Sequence, residues 1–439
     1  MVAALGPDFG AQRSRRILPR RAGLASAVMS LAAVVAALPP EISATVVRDG
    51  AHTVVAAGTL RTIRIQTANT ASFDALNALD RGWWAGFVSY DAGRSIERVI
   101  GRPRSDPTAE TTRSEAVPDF HLEQFAARAV VSTDGQVTFH GARAERRALE
   151  RAFAAPGKVG AVAESGPWSS SLDRLGYEQR VRTIQTLIRA GECYQVNLTR
   201  QLVGPELDEI ALYAAIESGN PAPHSMFWRD GAGLAIVSAS PEQFLLRQES
   251  HVQTRPIKGT AVRAARLRTS EKDRAENVMI VDLARNDLGR VCVPGSIEVP
   301  ELCRVETHPG LVHLVSTVRG ELQPGVGFGT LLRATFPPAS ITGAPKPRVM
   351  QAIEDLEPVR RNVYCGAVGW IDADRARAEL AVAIRTFTCT ETETTFGVGA
   401  GITIDSDPAG EWSETELKAA RLLALAGEQR IETVTAAQS

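Results

Sequence analysis

The chain lacks the cysteine and histidine patterns on which disulfide frameworks and structural metal sites depend. Its five cysteines are scattered over 439 residues without a CxxC pair, and its seven histidines include no HExxH motif. An odd number of dispersed cysteines argues against a disulfide scaffold, and the histidine pattern argues against a zinc site. We therefore expect a cytoplasmic protein with reduced thiols.

An excess of charge of either sign is also absent. The chain has 49 lysines and arginines against 50 aspartates and glutamates, which gives a formal net charge of -1 at pH 7. This balance excludes a global field that would favour nucleic acid or an anionic membrane. Any electrostatic function must therefore depend on local groups of side chains.

Long hydrophobic runs are scarce. A basic run at residues 13–21 precedes an alanine-rich stretch at 22–38, and together they resemble a secretory signal peptide. The apolar stretch is short and weakly hydrophobic for a transmembrane span, so a first helix or a poorly ordered extension is the alternative. We expect residues 1–45 to be an N-terminal extension and no membrane segment to follow.

Two polar stretches, at residues 101–120 and 155–171, divide the chain. They predict an N-terminal part at residues 46–165 and a larger catalytic part at 170–428. Strand-like runs, including a hairpin around Asp134 and Gly135, alternate with helix-like runs and are joined mainly by short turns. The pattern predicts an α+β fold with largely antiparallel sheets packed against helices.

One candidate acid lies in a predicted helix that begins after Ser270, with Asp273 completing a capping box. The helical period places Glu276 on the same face as Ile280 and Leu283, so its carboxylate projects from an apolar stripe. A buried carboxylate needs a partner. Glu276 is therefore either a metal ligand or general acid, or the partner of an arginine.

A second carboxylate group lies near the C-terminus, in "GEWSETELK". Here Glu411, Glu414 and Lys418 share one helical face, although Glu414 and Lys418 alone could be an ordinary i,i+4 pair. The preceding "GVGAGIT" contains Gly399 and Gly401 at a predicted strand end. Glycines there allow a ligand to approach the backbone closely, which favours a binding site.

The segment "PPASITGAPKPRV" places Thr342 and Gly343 before Pro345, a residue suited to the first turn of a helix. Free amides at that terminus, with Lys346 beside them, suit a carboxylate or phosphate ligand. A plain helix cap is the alternative, and the sequence alone does not choose between them.

Two further residues depend on each other for their interpretation. Glu242 follows a proline at a turn, where a glutamate is expected to be exposed to solvent unless the fold places it beside Lys258. Lys258, in "PIKGT", lies between an isoleucine and a glycine turn, which is an unusual position for a solvated cation. A hairpin return would bring the two together.

These motifs together resemble the chorismate-utilising enzymes, a family that includes anthranilate, aminodeoxychorismate, isochorismate and salicylate synthases. The resemblance covers roughly residues 172–425. In chain order it is carried by "GECYQVNLTRQ", "SPEQFL", "PIKGT", "EKDRAENVMIVDLARNDLGRV", "HLVSTVRGEL", "FPPASITGAPK", "CGAVGW", "AIRTF" and "GEWSETELKA".

The resemblance implies an anthranilate synthase component I-like fold and a Mg²⁺-dependent enzyme that acts on chorismate, a small dianion. By the same resemblance the magnesium ligands are Glu276 and Glu414, with Glu411 close by, and such oxygen ligands suit Mg²⁺. The implied substrate-binding residues are Thr260, Thr342, Gly343, Arg385, Gly399, Gly401 and Lys418.

The members of this family differ in the nucleophile. Gln195 stands where the water-adding synthases have a basic lysine, and Lys258 stands where anthranilate synthases have alanine. The lysine form resembles the aminodeoxychorismate synthases, which implies attack of Lys258 at C2 of chorismate while Glu242 protonates the departing C4 hydroxyl. Ammonia would then add at C4 and expel the lysine.

The resemblance further implies a glutamine amidotransferase subunit as the ammonia source, because none of the five cysteines sits in a glycine-flanked nucleophile motif. The product would serve 4-aminobenzoate and folate biosynthesis. The alternatives are an anthranilate or isochorismate synthase that carries this lysine, and a noncatalytic chorismate-binding regulatory subunit.

Overall fold

A computed structural model describes residues 30–97, 99, 117–261, 264–308 and 311–428. For residues 260, 261, 266, 308 and 311 it describes the backbone alone. The predicted basic run at residues 13–21 and most of the loop at 101–120 lie outside the described residues.

The described chain is rich in strands, and every pairing between its named strands is antiparallel. The strands are β1 (Ala44–Asp49), β2 (His52–Ile65), β3 (Trp83–Val88), β4 (Phe120–Val131), β5 (Val137–Gly141), β6 (Ser169–Ser170), β7 (Gln195–Pro205), β8 (His224–Arg229), β9 (Ala235–Ser240), β10 (Gln243–Gln248), β11 (His251–Arg255), β12 (Ile257–Ala261), β13 (Glu298–His308), β14 (Leu311–Glu321), β15 (Gly343–Ala344), β16 (Ala367–Asp372), β17 (Arg377–Val382), β18 (Thr386–Cys389) and β19 (Glu393–Ile402).

Helices cover the strands at several points. They are α1 (Leu31–Ala36), α2 (Asp74–Asn77), α3 (Arg94–Glu97), α4 (Arg143–Ala154), α5 (Arg174–Arg189), α6 (Glu209–Gly219), α7 (Ala264–Thr269), α8 (Glu271–Gly289), α9 (Phe328–Thr335), α10 (Lys346–Leu356) and α11 (Pro408–Leu425), with 3-10 turns at Tyr90–Gly93, Ala339–Ile341 and Ala373–Arg375. The predicted α+β class is confirmed.

The strands form one continuous hydrogen-bonded ladder. At one end β6 and β15 pair with β7, and from there the order runs β7, β19, β18, β9, β8, β1, β2 and β4. It continues through β3, β16, β17, β10, β11 and β14 to β13. Strand β4 is the branch point, because one edge pairs with β2 while the other pairs first with β3 and then with β5. The predicted hairpin around Asp134 is the connection from β4 to β5.

The N-terminal strands are integrated into this ladder. Strand β1 pairs with β8, and β3 pairs with β16, so residues 46–165 and 170–428 share one sheet. Helix α1 begins after a Ser30 cap, whose hydroxyl accepts from Ala33 N, and buries Val34 and Val35 in an apolar core. None of the described helices combines the length and apolar character needed to cross a membrane.

Aromatic side chains from several strands pack together in one buried cluster. Trp83, Phe87, Trp228 and Trp370 are buried in one cluster, where Trp83 stacks on Trp370 with ring centroids 6.3 Å apart. The Trp370 indole N–H donates to the backbone oxygen of Arg48, 3.0 Å away, so its polar atom is satisfied. Two larger apolar clusters lie under the helices. This packing fixes the strands that carry the candidate site.

Candidate active site

Lys258 lies on β12, directly opposite Leu314 of β14. The next residue, Gly259, has φ of +72°, a left-handed conformation that favours glycine. A Cβ on Gly259 would lie 3.0 Å from the Asp273 side chain of α8, so glycine also allows the helix to pack against the strand at this point. Strand β12 and helix α8 are therefore in close contact beside Lys258.

The Lys258 side chain is partly buried and points toward the turn before β15. Its Nζ donates to the backbone oxygen of Ser340, 2.9 Å away. Burial lowers the pKa of Lys258 below its ordinary value, although the carboxylates of Glu276 and Glu242 act to raise it. More of this lysine is therefore an uncharged, nucleophilic amine at neutral pH than is usual.

Glu242 lies between β9 and β10 and is only 4% exposed, so its default interpretation as an exposed glutamate is wrong. The backbone N–H of Ile257 donates to its Oε1 at 3.4 Å. Burial raises the pKa of Glu242 to about 7, despite opposing effects of Ser340 and Lys258. A carboxyl group with this pKa is available as a proton donor near neutral pH.

Glu276 on α8 and Glu411 on α11 lie on either side of the Lys272 ammonium group. Lys272 Nζ lies 3.9 Å from Oε1 of Glu276 and 3.9 Å from Oε1 of Glu411. The Ser406 hydroxyl also donates to Glu411 Oε1, at 2.6 Å. Burial raises the pKa of both carboxyls, so the lysine does not fully compensate their desolvation. The partner of Glu276 is thus a lysine and not an arginine.

Glu414 and Lys418 form the i,i+4 pair that their spacing predicts, with 2.7 Å between Oε1 and Nζ. Burial acts to raise the pKa of Glu414, but Lys418 and the other nearby lysines outweigh it and leave the pKa lowered. Lys418 also donates to the backbone oxygen of Gly399 at 2.9 Å. The pair therefore joins α11 to β19 in addition to stabilising the helix.

The three glutamates suit a hydrated divalent cation better than a closed metal cage. In the part of the chain that the structure describes, no three His, Cys, Asp or Glu side chains are gathered closely enough to hold a metal by themselves. However, the Glu276 and Glu411 carboxylates already flank one positive charge. Mg²⁺ is commonly held by one or two carboxylates together with water and an anionic ligand, so the donor set fits this ion.

The predicted glycine positions lie where the two ends of the ladder meet. Gly399 and Gly401 on β19 pair with Thr199 and Asn197 of β7. A Cβ on Gly401 would clash with the Gln195 amide and lie 3.5 Å from Lys258 Nζ.

Gly343 on β15 pairs with Val196 of the same strand β7, with φ of +138°. A Cβ on Gly343 or Gly399 would meet the β7 backbone oxygens of Gln195 and Leu198, so these two glycines allow close strand packing, while Gly401 lies beside the lysine.

Three predicted substrate-binding residues are less directly connected to Lys258. The Thr342 hydroxyl donates to Pro338 O and Ala339 O at 3.1 and 3.2 Å, within its own turn. Thr260 pairs with His313 through its backbone, and its side chain lies outside the described residues. Thr342 thus shapes the turn that receives the Lys258 hydrogen bond.

Arg385 precedes β18 with φ of +52°. Its guanidinium makes no hydrogen bond or ion pair with another described residue, and burial lowers its pKa, with Arg421 acting in the same direction. Such a cation is suited to bind an anionic ligand.

The cations of the "GAPKPR" segment are structural. Lys346 Nζ lies 2.8 Å from Asp287 Oδ2 and also donates to the backbone oxygen of Thr335, and both side chains are buried. Arg348 pairs with Glu192 at 2.5 Å. The suggested anion site beside Lys346 is therefore not supported, and the segment is a helix start whose charges are already paired.

Some supporting residues were missed from the sequence. Arg361 is buried and bonds both carboxylate oxygens of Glu357, at 2.9 and 2.6 Å. It also donates to the backbone oxygens of Ile341 and Asn197, which fixes the 3-10 turn against β7. The sequence could have indicated these ion pairs, because Glu357 and Arg361 are spaced i,i+4, as are Lys272 and Glu276.

Comparison with known proteins identifies relatives of similar sequence. The chain is 41% identical over 306 residues to aminodeoxychorismate synthase component 1 of Salmonella typhimurium, a match that covers 66% of this chain and 65% of the relative. It is 47% identical over 215 residues to the Escherichia coli protein of that name, covering 46% and 47% of the two chains. The chain thus spans less than two thirds of the length of these curated relatives.

The fold also matches a solved structure. The crystal structure of anthranilate synthase component I from Streptococcus pneumoniae superposes with a TM-score of 0.74 at 25% identity, covering 85% of this chain and 92% of that one. Residues 39–424 match the chorismate binding enzyme family, which includes nearly all of the ladder and the helices that carry the three glutamates. This chain therefore belongs to the chorismate binding enzyme family.

Proposed function

We propose that this chain is component I of an aminodeoxychorismate synthase, which converts chorismate and ammonia to 4-amino-4-deoxychorismate. The observation that carries the proposal is Lys258, a partly buried amine with a lowered pKa beside a protonatable Glu242. The names of two relatives, both aminodeoxychorismate synthase component 1, support it. All proposed site residues come from residues 170–428, the proposed catalytic part.

In the first step the Lys258 nitrogen bonds to C2 of chorismate, the ring double bonds shift, and the C4–oxygen bond breaks. The Glu242 proton goes to the departing hydroxyl, which leaves as water. The Glu242 carboxylate then takes a proton from the lysine nitrogen. The burial that raises the pKa of Glu242 and lowers that of Lys258 favours the protonation states that this step requires.

In the second step ammonia bonds to C4, the double bonds shift back, and the C2–nitrogen bond breaks. Glu242 protonates the departing lysine and then recovers a proton from the new C4 ammonium group, which restores both residues. Two displacements place the amine para to the ring carboxylate, whereas direct attack at C2 would place it ortho. Lys258 is therefore the proposed determinant of the para product.

The other charged residues of the site would bind Mg²⁺ and the negatively charged groups of chorismate. Glu276 and Glu414, with Glu411, would hold Mg²⁺, which when bound neutralises and orients a carboxylate of the substrate. Lys418 and the Arg385 guanidinium would bind the anion, and the backbone of Gly399 and Gly401 would contact the ligand beside Lys258.

Removal of the metal provides one test. We expect a chelator to abolish activity and Mg²⁺ to restore it, and we expect Glu276→Gln to raise the Mg²⁺ concentration for half-maximal activity at least about tenfold. Activity titrated against Mg²⁺ measures both effects. Glu271→Gln, an exposed residue on the same helix, removes the same charge and should leave the titration unchanged; equal curves for all three proteins would contradict the ligand role.

The cysteines support a separate ammonia source. All five are free and buried, and burial raises the pKa of Cys292 to about 11 and those of Cys365 and Cys389 to about 12. Such thiols are poor glutaminase nucleophiles. We therefore propose that a glutamine amidotransferase subunit supplies ammonia, in the cytoplasm, and that a separate lyase converts the product to 4-aminobenzoate for folate biosynthesis.

Product identity tests the proposal directly. With chorismate, Mg²⁺ and ammonium, followed by an aminodeoxychorismate lyase, we expect 4-aminobenzoate by liquid chromatography. Anthranilate would instead establish an anthranilate synthase, the activity named for the S. pneumoniae structure. Chorismate binding without turnover would establish a noncatalytic subunit.

A further inference from the structure

A buried side-chain amide connects the helix that carries Glu276 to the strands beside Lys258. Asn277 is fully buried on α8, next to Glu276 in sequence. Its Nδ2 donates to the backbone oxygen of Leu314 at 3.1 Å. Leu314 is the residue paired with Lys258 across β12 and β14. One side chain therefore links the helix that carries Glu276 to the strand position that faces Lys258.

The oxygen of the Asn277 side-chain amide also accepts hydrogen bonds. Asn277 Oδ1 accepts from the Ser316 hydroxyl and from Cys303 Sγ, which lies 3.5 Å away. The Ser316 hydroxyl in turn accepts from the backbone N–H of Cys303 at 2.8 Å. Cys303 has φ of +55° and lies where the β13–β14 register shifts. The amide is thus held in one orientation by β13 and β14.

The same helix face makes a second contact with β12. Asp273 lies one turn before Asn277 and packs against Gly259, the neighbour of Lys258. Glu276 lies three residues after Asp273, next to it on the helix surface, and among the nearby carboxylates that of Glu276 acts most strongly to raise the pKa of Lys258. The distance between Glu276 and Lys258 is thereby set by the two contacts at Asp273 and Asn277.

We propose that Asn277 is a positioning residue for the reaction, which holds Glu276 at the spacing from Lys258 that turnover requires. This inference rests on the proposed function. Asn277 touches no reacting atom, so it acts only through the placement of its neighbours. Displacement of a catalytic group by about 1 Å can reduce turnover on the order of 100-fold.

The test compares three variants. Asn277→Ala removes the amide, and Asn277→Leu removes it while filling its volume. Ser316→Ala is the matched control, because it removes a hydrogen bond to the amide but leaves the link from Asn277 to Leu314 intact. Thermal unfolding is measured first, and the kcat and KM for chorismate consumption are then measured well below the lowest Tm.

We expect both Asn277 variants to lose about 100-fold in kcat with KM changed less than about threefold. Ser316→Ala should lower Tm but keep kcat within about threefold of the unaltered protein. Asn277 variants that lose no more kcat than Ser316→Ala would overturn the positioning role. Because chorismate consumption is followed independently of product, formation of anthranilate would refute the proposed function while the rates still decide the role of Asn277.

Discussion

Lys258→Ala should abolish 4-aminobenzoate formation in the coupled assay, by at least about a thousandfold, while chorismate still binds. The variant lacks the amine that the proposed reaction adds to C2, whereas the groups proposed to bind the anion, Lys418 and Arg385, are retained. Product is measured by liquid chromatography and chorismate affinity by calorimetry. We expect the affinity to change less than about threefold, since the substrate carboxylates do not require Lys258.

Lys158→Ala is the control for this prediction. Lys158 is an exposed lysine in the segment between α4 and β6, and its removal should change neither quantity. A Lys258→Ala protein that still made 4-aminobenzoate at a comparable rate would exclude the covalent route. A protein that no longer bound chorismate would instead show that Lys258 is chiefly a binding residue.

Glu242→Gln should reduce turnover by about 100- to 10,000-fold, because the amide cannot protonate the departing hydroxyl. The unaltered protein should also lose activity as pH rises through about 7, since the pKa of Glu242 is raised to about 7 and only the protonated acid can donate. The amine of Lys258 must be unprotonated, and its lowered pKa shifts the acidic limb of the profile to lower pH than an ordinary lysine would give. The pH dependence of kcat/KM measures both limbs.

Glu217→Gln provides the matched comparison for the acid. Glu217 also has a pKa raised by burial, but it accepts from the Tyr213 hydroxyl on α6. Its substitution should leave the pH profile unchanged. If Glu242→Gln retained the loss of activity above pH 7, another group would be the acid.

Local patterns made much of the site predictable. The helix predicted to begin after Ser270 is observed as Glu271–Gly289, and the Ser270 hydroxyl accepts from Asp273 N at 3.2 Å as the capping pattern indicates. Glu414 and Lys418 pair as their spacing predicts. These features depend on residues within one or two helical turns, so the sequence contains all of the relevant information.

Features that depend on distant strands were not predictable in the same way. The sequence did not show that Glu242 is buried, because its burial depends on Ser340 and the strands around it. Nor did it show that Lys346 forms a buried ion pair with Asp287, a residue 59 positions away in the sequence. For Arg385 and Thr342 the family resemblance predicts contact with substrate, and their roles remain predictions.

The two ends of the ladder meet at the site, so the site can be completed only late in synthesis of the chain. Lys258 lies on β12, whereas Gly401 beside it lies on β19 and Lys418 follows on α11. Contacts between such distant segments form slowly, because a long loop must close before they are gained. A ribosome-bound chain that ends before α11 therefore has the lysine but neither Glu411 nor Glu414, so the ability to bind chorismate should arise only when α11 has docked.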